Sequence, residues 1–337
     1  MECRRILFTQ AGRAELVSAQ VPAPGRGEVL VRLAVSTVSS GTERANLTGD
    51  PNTNIFEPGG EVRWPRSGGY SSAGTVEAVG EGVSDLKAGD RVALAGSTHC
   101  QYVCLPRRQM TLLTENVSFE EAALFYIATF PLAAVRKCRT EMGEAAIVMG
   151  QGVLGQLAVR LLRTAGAVPV LAADPVESRR EQALAGGADA ALDPFAPDFA
   201  SRVREITGGG AKVGIEVTGY GAGLDGILDC MAPFGRVALL GCTRSSDFTI
   251  DYYRKVHGPG ITLIGAHTLA RPKEESHPGW WTDPDDRGAL LRLVSGGRLR
   301  LKDLIEDTRS PEEAPEVYRR LAAGKSFPVT QFDWRLL

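Results

Sequence analysis

Six consecutive residues constrain this chain more than any others: Gly150-Gln-Gly152-Val-Leu-Gly155. An apolar run, Ala145–Met149, precedes them and reads as a buried strand, while Gly155–Ala165 reads as a helix. A second strand, Val168–Ala172, leads to Asp174, 24 residues after the first glycine. The spacing G-x-G-x-x-G is weak evidence alone, but at a strand-to-helix turn that an acidic residue follows it reads as a dinucleotide site. Gly150 permits the tight turn, Gly152 lets the backbone approach a pyrophosphate, and Gly155 allows close helix–strand packing. The helix N-terminus then offers free N–H groups and a partial positive charge to the phosphates. Asp174 can accept hydrogen bonds from ribose hydroxyls and would repel a 2′-phosphate. The segment Val148–Asp174 is therefore expected to hold NAD, with NADP less favoured, although Arg179 and Arg180 soften that exclusion. The residues expected at the cofactor are Gly150, Gly152, Val153, Leu154, Gly155, Asp174 and Arg179. Thr218 and Gly241, each just past a later strand, are expected beside the ribose and nicotinamide, since such sheets bind ligand at their carboxyl edge.

The surroundings extend this pattern. After about Glu144 strands and helices alternate: a helix over Ser178–Ala185, strands at Val213–Val217, Val237–Leu240 and Ile261–Ile264, and a helix over Leu224–Met231. That alternation predicts a doubly wound parallel sheet. The first third differs. Glu28–Val35 alternates apolar and polar residues like a half-buried strand, and Thr75–Val79 and Arg91–Ala95 read as further strands between glycine turns. Many short strands of this kind suggest a small barrel or sandwich. Ser118 with Glu121 resembles a capping box opening a helix over Ala122–Thr129. Helices at Arg287–Ser295 and Pro311–Ala323 and a strand near Pro328–Trp334 close the chain. At 337 residues, two domains is the natural expectation.

Charge excludes some partners. A net charge of -2 offers no electrostatic capture of nucleic acid or an anionic membrane. No apolar run reaches the ~20 residues of a membrane helix. Met1–Gln10 is a basic patch without an apolar signal core, which points to a cytoplasmic protein. The six cysteines form no C-x-x-C pair and are expected to be mostly small buried hydrophobes. Cys100 and Cys104 with His99 beside them allow a metal site, but packing is the stronger reading.

With these motifs in view, the chain resembles the medium-chain dehydrogenase/reductase superfamily. The local matches are Gly74-Thr-Val-Glu-Ala-Val-Gly80, Lys87-Ala-Gly-Asp-Arg-Val92, Glu120-Glu-Ala-Ala-Leu124 and the glycine fingerprint. The resemblance implies an α/β protein with a β-rich GroES-like catalytic domain, residues 1–128 and 267–337, and a doubly wound Rossmann domain, residues 129–266. It also implies hydride transfer between NAD(P) and an alcohol/carbonyl pair, or reduction of an activated double bond.

Most alcohol dehydrogenases of the superfamily carry a catalytic zinc. Ser40-Gly41-Thr42-Glu43 matches the motif of the first zinc ligand, Gly69-Tyr70-Ser71-Ser72-Ala73-Gly74 that of the second, and Phe125-Tyr126-Ile127 the third. Ser40, Tyr70 and Tyr126 offer no thiolate, imidazole or carboxylate, so no zinc is expected. The four-cysteine structural zinc lobe is also missing, and none of the four histidines, His99, His257, His267 and His277, falls at a matching position. The family's relay histidine aligns with Ala45. Without metal, another group must stabilise charge on the substrate oxygen. Tyr70 is the candidate acid/base or oxyanion donor, Ser40 and Thr42 its hydrogen-bonding partners, and Tyr126 the reserve. Glu43 is expected to orient or accept from Tyr70. The alternative is that Tyr70 only packs into the vacated space.

For substrate, Arg271–Trp281 carries two adjacent tryptophans among charged residues. Trp280 and Trp281 suit a polyhydroxylated ring, a flat conjugated ligand or a dimer contact. His267 suits a substrate contact or a domain junction. The "S-G-T-E" and "G-Y-S" variants resemble a zinc-free branch containing polyol-dehydrogenase-like proteins and the dehydrogenase of bacteriochlorophyll synthesis. The leading expectation is thus an NAD-dependent homodimer interconverting a secondary alcohol and a ketone on a polyol, sugar or cyclitol. An NADPH-dependent quinone or enone reductase and a catalytically decayed cofactor-binding protein remain the alternatives.

Overall fold

In the computed structural model, residues 2–53, 59–324 and 326–337 are described; Met1, the first residue of the basic patch, lies outside them, as do 54–58 and Lys325 within the domain expected over 1–128 and 267–337. The chain divides into two compact units, Met1–Ile127 with Arg287–Leu337, and Ala128–Asp286.

The first unit opens with the hairpin β1 (Glu2–Gln10) and β2 (Arg13–Gln20), followed by β3 (Glu28–Thr37). Next come helix α1 (Ser40–Thr48) and the strands β4 (Arg66–Ser67), β5 (Ser71–Val79), β6 (Arg91–Ala95), β7 (Tyr102–Pro106) and β8 (Met110–Leu112). The helices α2 (Phe119–Ala122) and α3 (Phe125–Lys137) follow. The sequence motif suggested a single helix ending at Thr129. Instead α2 ends after one turn, and α3 restarts at Phe125 and runs eight residues further. Ser118 caps α2 by accepting the Glu121 N–H at 3.2 Å, but its hydroxyl donates to the Glu121 carboxylate, which closes only half of a capping box.

β3 is the spine of this unit, bonded antiparallel to β5, β7 and a late strand. The alternation in its sequence suggested one wet face, yet only Arg32 is exposed. Its small Ala34 and Ser36 fill positions that alternation would assign to solvent, and the unit covers both faces. Ile6, Phe8, Val31, Leu47, Leu94, Tyr318 and Phe332 form the core.

The second unit is a six-stranded sheet, all its pairings parallel, in the order β11-β10-β9-β12-β13-β14. In chain order these are β9 (Ala146–Met149), β10 (Val170–Ala173), β11 (Ala190–Leu192), β12 (Ala211–Glu216), β13 (Met231–Leu239) and β14 (Thr262–Gly265). Between them lie α4 (Val153–Thr164), α5 (Glu177–Ala185), α6 (Phe199–Thr207) and α7 (Gly221–Asp229). Strand order reverses between β9 and β12, the crevice where such sheets take ligands. β11 and α6 complete the doubly wound pattern, although their short and mixed sequences carried no clear period.

The chain then enters α8 (Asp283–Ser295), β15 (Asp307–Arg309), α9 (Ala314–Ala323) and β16 (Thr330–Asp333). The segment 267–286, assigned above to the catalytic part, groups with the second unit. Its charges explain this: Arg271 donates to the Thr129 carbonyl at 2.6 Å, and Asp286 pairs with Arg136 at 2.8 Å.

Candidate active site

The glycine loop behaves as its sequence requires. Gly150 has φ +96°, and a Cβ there would stand 3.0 Å from the Thr218 methyl. Gly155 lies so close to the loop that its Cβ would fall 1.8 Å from the Gly150 carbonyl oxygen, which only glycine permits. Gly152 caps α4, and no atom lies within 4 Å of where its Cβ would stand. That opening at a helix N-terminus lacking a side-chain cap fits a pyrophosphate. Val153 and Leu154 form the first turn, Val153 buried and Leu154 half-buried.

Asp174 is 3% exposed; it accepts the Gln151 N–H at 2.8 Å and the Val176 N–H at 2.9 Å. It therefore also braces the glycine loop, a role its sequence position did not reveal. Arg179 stands 3.6 Å from the same carboxylate, whereas Arg180 turns to the carbonyls of Asp174 and Pro175. Gln151 is itself buried, and its Oε1 has no donor among the described residues, so an acceptor stands ready in the loop. Thr218 and Gly241 lie at the carboxyl edge as expected. Their organiser is Glu216, which the sequence reading missed: it accepts the Thr218 N–H at 2.7 Å, the Thr218 hydroxyl and the Gly219 N–H at 3.1 Å. Burial pushes the Glu216 carboxyl above its usual range, against the pull of these donors. Gly241 is a packing glycine, since its Cβ would stand 2.3 Å from the Gly219 nitrogen. These residues fit a nicotinamide dinucleotide.

The first unit gathers the other candidates. Tyr70 leaves Gly68-Gly69 and enters β5, and its ring meets that of Tyr126 edge-on at 5.7 Å. The Tyr126 backbone is fixed because the Ala123 carbonyl, at the corner between α2 and α3, accepts the hydroxyls of Thr37 (2.9 Å) and Ser71 (2.7 Å). The phenol of Tyr70 hydrogen-bonds to the Ser39 hydroxyl and to Thr42. Ser39 is the residue missed here; the motif pointed to its neighbour Ser40, which only opens α1. Glu43 was expected to accept from Tyr70. Instead its carboxylate is taken by the Ser39 N–H (2.7 Å), His99 Nε2 (3.0 Å) and the Tyr318 hydroxyl (2.5 Å). Burial drives the Tyr70 phenol well above its usual range, and the Glu43 and Tyr126 charges add to this against the two hydroxyls. At neutral pH it is a protonated donor and cannot serve as a phenolate base.

Ser40, Tyr70 and Tyr126 do not make a zinc-binding donor set. Among the described residues no group of three or more His, Cys, Asp and Glu side chains is placed to hold a metal ion. His99, buried between Ser36 and Glu43, is committed to hydrogen bonds.

The three substrate candidates belong to the second unit. Trp281 has the Arg136 guanidinium 3.6 Å from its ring centre, and Trp280 has the Lys137 ammonium at 4.6 Å. One face of each indole is thus occupied by a cation from α3. Lys137 also donates to the Gly265 carbonyl at 3.1 Å; burial and Arg271 push its ammonium down to about 8. His267 accepts the Leu269 N–H at 3.2 Å, and burial with the nearby Lys137 lowers its pKa.

Two family matches cover most of the chain. Residues 25–125 match the alcohol dehydrogenase GroES-like domain and residues 153–277 match the zinc-binding dehydrogenase family. The second span contains none of Ser40, Tyr70 and Tyr126. The chain is 26% identical to L-threonine 3-dehydrogenase of Pyrococcus horikoshii, over 96% of this chain and 97% of that one. It is 25% identical to D-guloside 3-dehydrogenase of Escherichia coli K12, over 74% and 72%. A structure of a dehydrogenase from Sinorhizobium meliloti bound to NADP superposes with a TM-score of 0.82 at 21% identity, covering 99% of both chains.

Proposed function

The chain belongs to the medium-chain dehydrogenase/reductase superfamily, and from that premise we propose a zinc-independent, NAD(H)-dependent oxidoreductase that interconverts a secondary alcohol and a ketone on a polyol, sugar or cyclitol. What supports this is the alignment of Ser40, Tyr70 and Tyr126 with the family's zinc-ligand motifs, together with the Tyr70 phenol, which Ser39 and Thr42 hold.

The cofactor, when bound, supplies the hydride acceptor or donor. Gly150, Gly152, Val153, Leu154 and Gly155 would hold its pyrophosphate, Asp174 with Arg179 its adenosine ribose, and Thr218 and Gly241 the nicotinamide side. The carboxylate of Asp174 favours NAD. On the substrate, the carbonyl oxygen gains negative charge as hydride arrives and then takes a proton from solvent; in the reverse direction the carbinol gives its proton to solvent, and the alkoxide loses its charge as hydride leaves. Ser39 and Thr42 can both donate to the Tyr70 oxygen, which frees the phenolic hydrogen for that substrate oxygen. A protonated Tyr70 thus replaces a Lewis acid with a preorganised hydrogen bond. Tyr126 braces the ring. For the substrate class, the support is the D-guloside relative and the aromatic, hydrogen-bonding character of His267, Trp280 and Trp281.

We further propose a cytoplasmic homodimer. The six cysteines are all free, and β14 bonds only to β13 among the described residues, which leaves a strand edge for a second copy. No described helix is long and apolar enough to cross a membrane.

The test is turnover of sugars, glycosides, cyclitols and L-threonine with NAD and NADP, with metal analysis of the purified protein and its Tyr70→Phe variant. Oxidation of a ring polyol by zinc-free protein, lowered about 10²- to 10³-fold in kcat by Tyr70→Phe, is the expected result. Stoichiometric zinc, or full turnover by Tyr70→Phe, would overturn the zinc-independent mechanism.

A further inference from the structure

The geometry points to His99 and Glu43 as a positioning pair that fixes the Tyr70 phenol from beneath. The inference rests on the reading of Tyr70 as the hydrogen-bond donor. A buried polar chain runs from Trp334 to Glu43. At one end Trp334 Nε1 donates to Ser36 Oγ at 2.8 Å. Ser36 Oγ stands 2.7 Å from His99 Nδ1. Having accepted the indole hydrogen, the Ser36 hydroxyl directs its own to Nδ1. That leaves His99 with its proton on Nε2, donating to Glu43 at 3.0 Å. Tyr318 from α9 donates to the same carboxylate oxygen, and the Ser39 N–H takes the other. Glu43, His99, Ser36, Tyr318 and Trp334 are each at most 3% exposed. A buried carboxylate is costly unless its oxygens are satisfied, and three donors from three separate segments satisfy this one. A fully satisfied network of this kind is rigid.

Tyr70 is attached to the network twice. Ser39, held through its N–H by Glu43, bonds the phenol through its hydroxyl. The backbone leading into Tyr70 also lies directly on the pair. A Cβ at Gly69 would stand 2.8 Å from the His99 ring, and one at Gly68 would stand 3.3 Å from both the Glu43 carboxylate and the Tyr318 hydroxyl. The His99 N–H donates to the Gly68 carbonyl at 3.0 Å. Contact with the His99 ring therefore requires glycine at 69, whereas at 68 the nearest atom is Phe8 Cζ at 2.8 Å and Glu43 comes next. Because Glu43 reaches Ser39 through the backbone N–H, no hydrogen bond joins the carboxylate to the phenol. The pair acts on Tyr70 by position and carries no proton to it.

The experiment uses full-length protein with [¹³Cζ]tyrosine and reads the Tyr70 resonance, assigned by its loss in Tyr70→Phe. His99→Gln, which keeps a donor toward Glu43, and Tyr318→Phe, which deletes one, are milder than His99→Ala and guard against loss of folding. The expected result is a shifted Tyr70 resonance in His99→Ala and Tyr318→Phe, with partial return in His99→Gln. In turnover with the best alcohol of the panel above, His99→Ala and Tyr318→Phe lower kcat about 10- to 100-fold with little change in NADH affinity. Adding Tyr318→Phe to Tyr70→Phe costs nothing further, because the losses share one route. A Tyr70 resonance unmoved in folded Tyr318→Phe and His99→Gln overturns the proposal, as do losses that multiply in the double variant. Wild-type turnover by Tyr70→Phe alone removes the donor reading instead, and the resonance still reports whether the pair positions the phenol.

Discussion

Replacing Asp174 by asparagine should shift the cofactor preference toward NADP, by an amount that follows from the contacts of its carboxylate. Two effects must be separated. Asp174 accepts backbone N–H groups from Gln151 at 2.8 Å and Val176 at 2.9 Å. Asparagine has one acceptor oxygen, so its amide must face one of those N–H groups and lose that bond. The loss is about 0.5–1.5 kcal/mol and weakens both cofactors alike, since it loosens the glycine loop they share. The charge effect differs between them. A ribose hydroxyl on a carboxylate is stronger than on a neutral amide by about 1 kcal/mol, which NADH loses. A 2′-phosphate is relieved of repulsion by at least about 1 kcal/mol, and Arg179, now 3.6 Å from the carboxylate, is released to meet it. Together these amount to about 2 kcal/mol in the ratio of the two affinities, or roughly 30-fold toward NADPH. The assay is fluorescence titration of wild type and Asp174→Asn with NADH and NADPH, which needs no substrate. Only the ratio of dissociation constants counts, because the loop effect cancels in it. A ratio within about 3-fold of wild type would refute the assignment of Asp174 to the adenosine ribose.

Two further perturbations follow from the geometry. Gly155→Ala places a Cβ 1.8 Å from the Gly150 oxygen, so α4 must move; about 1–3 kcal/mol of stability should be lost, read as a fall in melting temperature, together with weaker NADH binding. Unchanged melting and binding would show that the loop is not packed as described. Lys137 titrates near 8 when folded and at its ordinary 10.5 when unfolded. The unfolded chain thus binds more protons between those values, and this residue makes stability rise with pH across that window; below it the full cost of the buried charge is present and does not vary with pH. The buried Cys100, Cys138 and Cys230, all raised by burial, push the opposite way above their ordinary value. The difference between wild type and Lys137→Met isolates the lysine: the gain of Lys137→Met in melting temperature should shrink from pH 8 to 10.5. A difference that stays constant across that range would show that Lys137 is not charged at cost in the fold.

The parts of this protein written locally in its sequence were legible there. A dinucleotide loop is a contiguous problem: the turn at Gly150, the opening at Gly152 and the contact of Gly155 with Gly150 all lie within six residues. The parallel sheet followed because each strand and helix carries its own period, and only short β11 and mixed α6 escaped. The motifs also aligned Ser40, Tyr70 and Tyr126 with the family's zinc-ligand positions, which is the basis of the zinc-independent proposal. What those side chains do was decided by tertiary contacts. Glu43 has its partners at positions 39, 99 and 318, the last 275 residues away, and no periodicity encodes such a meeting. Ser39 displaced Ser40 as the partner of Tyr70 because α1 starts between them, so only one of the two hydroxyls points to the phenol. In sequence, Trp280 and Trp281 suited a ring ligand, a flat ligand or a dimer contact, but α3 brings Arg136 and Lys137 onto them. The sequence by itself determined the fold class and the cofactor loop, because those depend on neighbours along the chain. Only the tertiary structure decided how Tyr70 is held, because a buried carboxylate must collect its donors from wherever the fold can supply them.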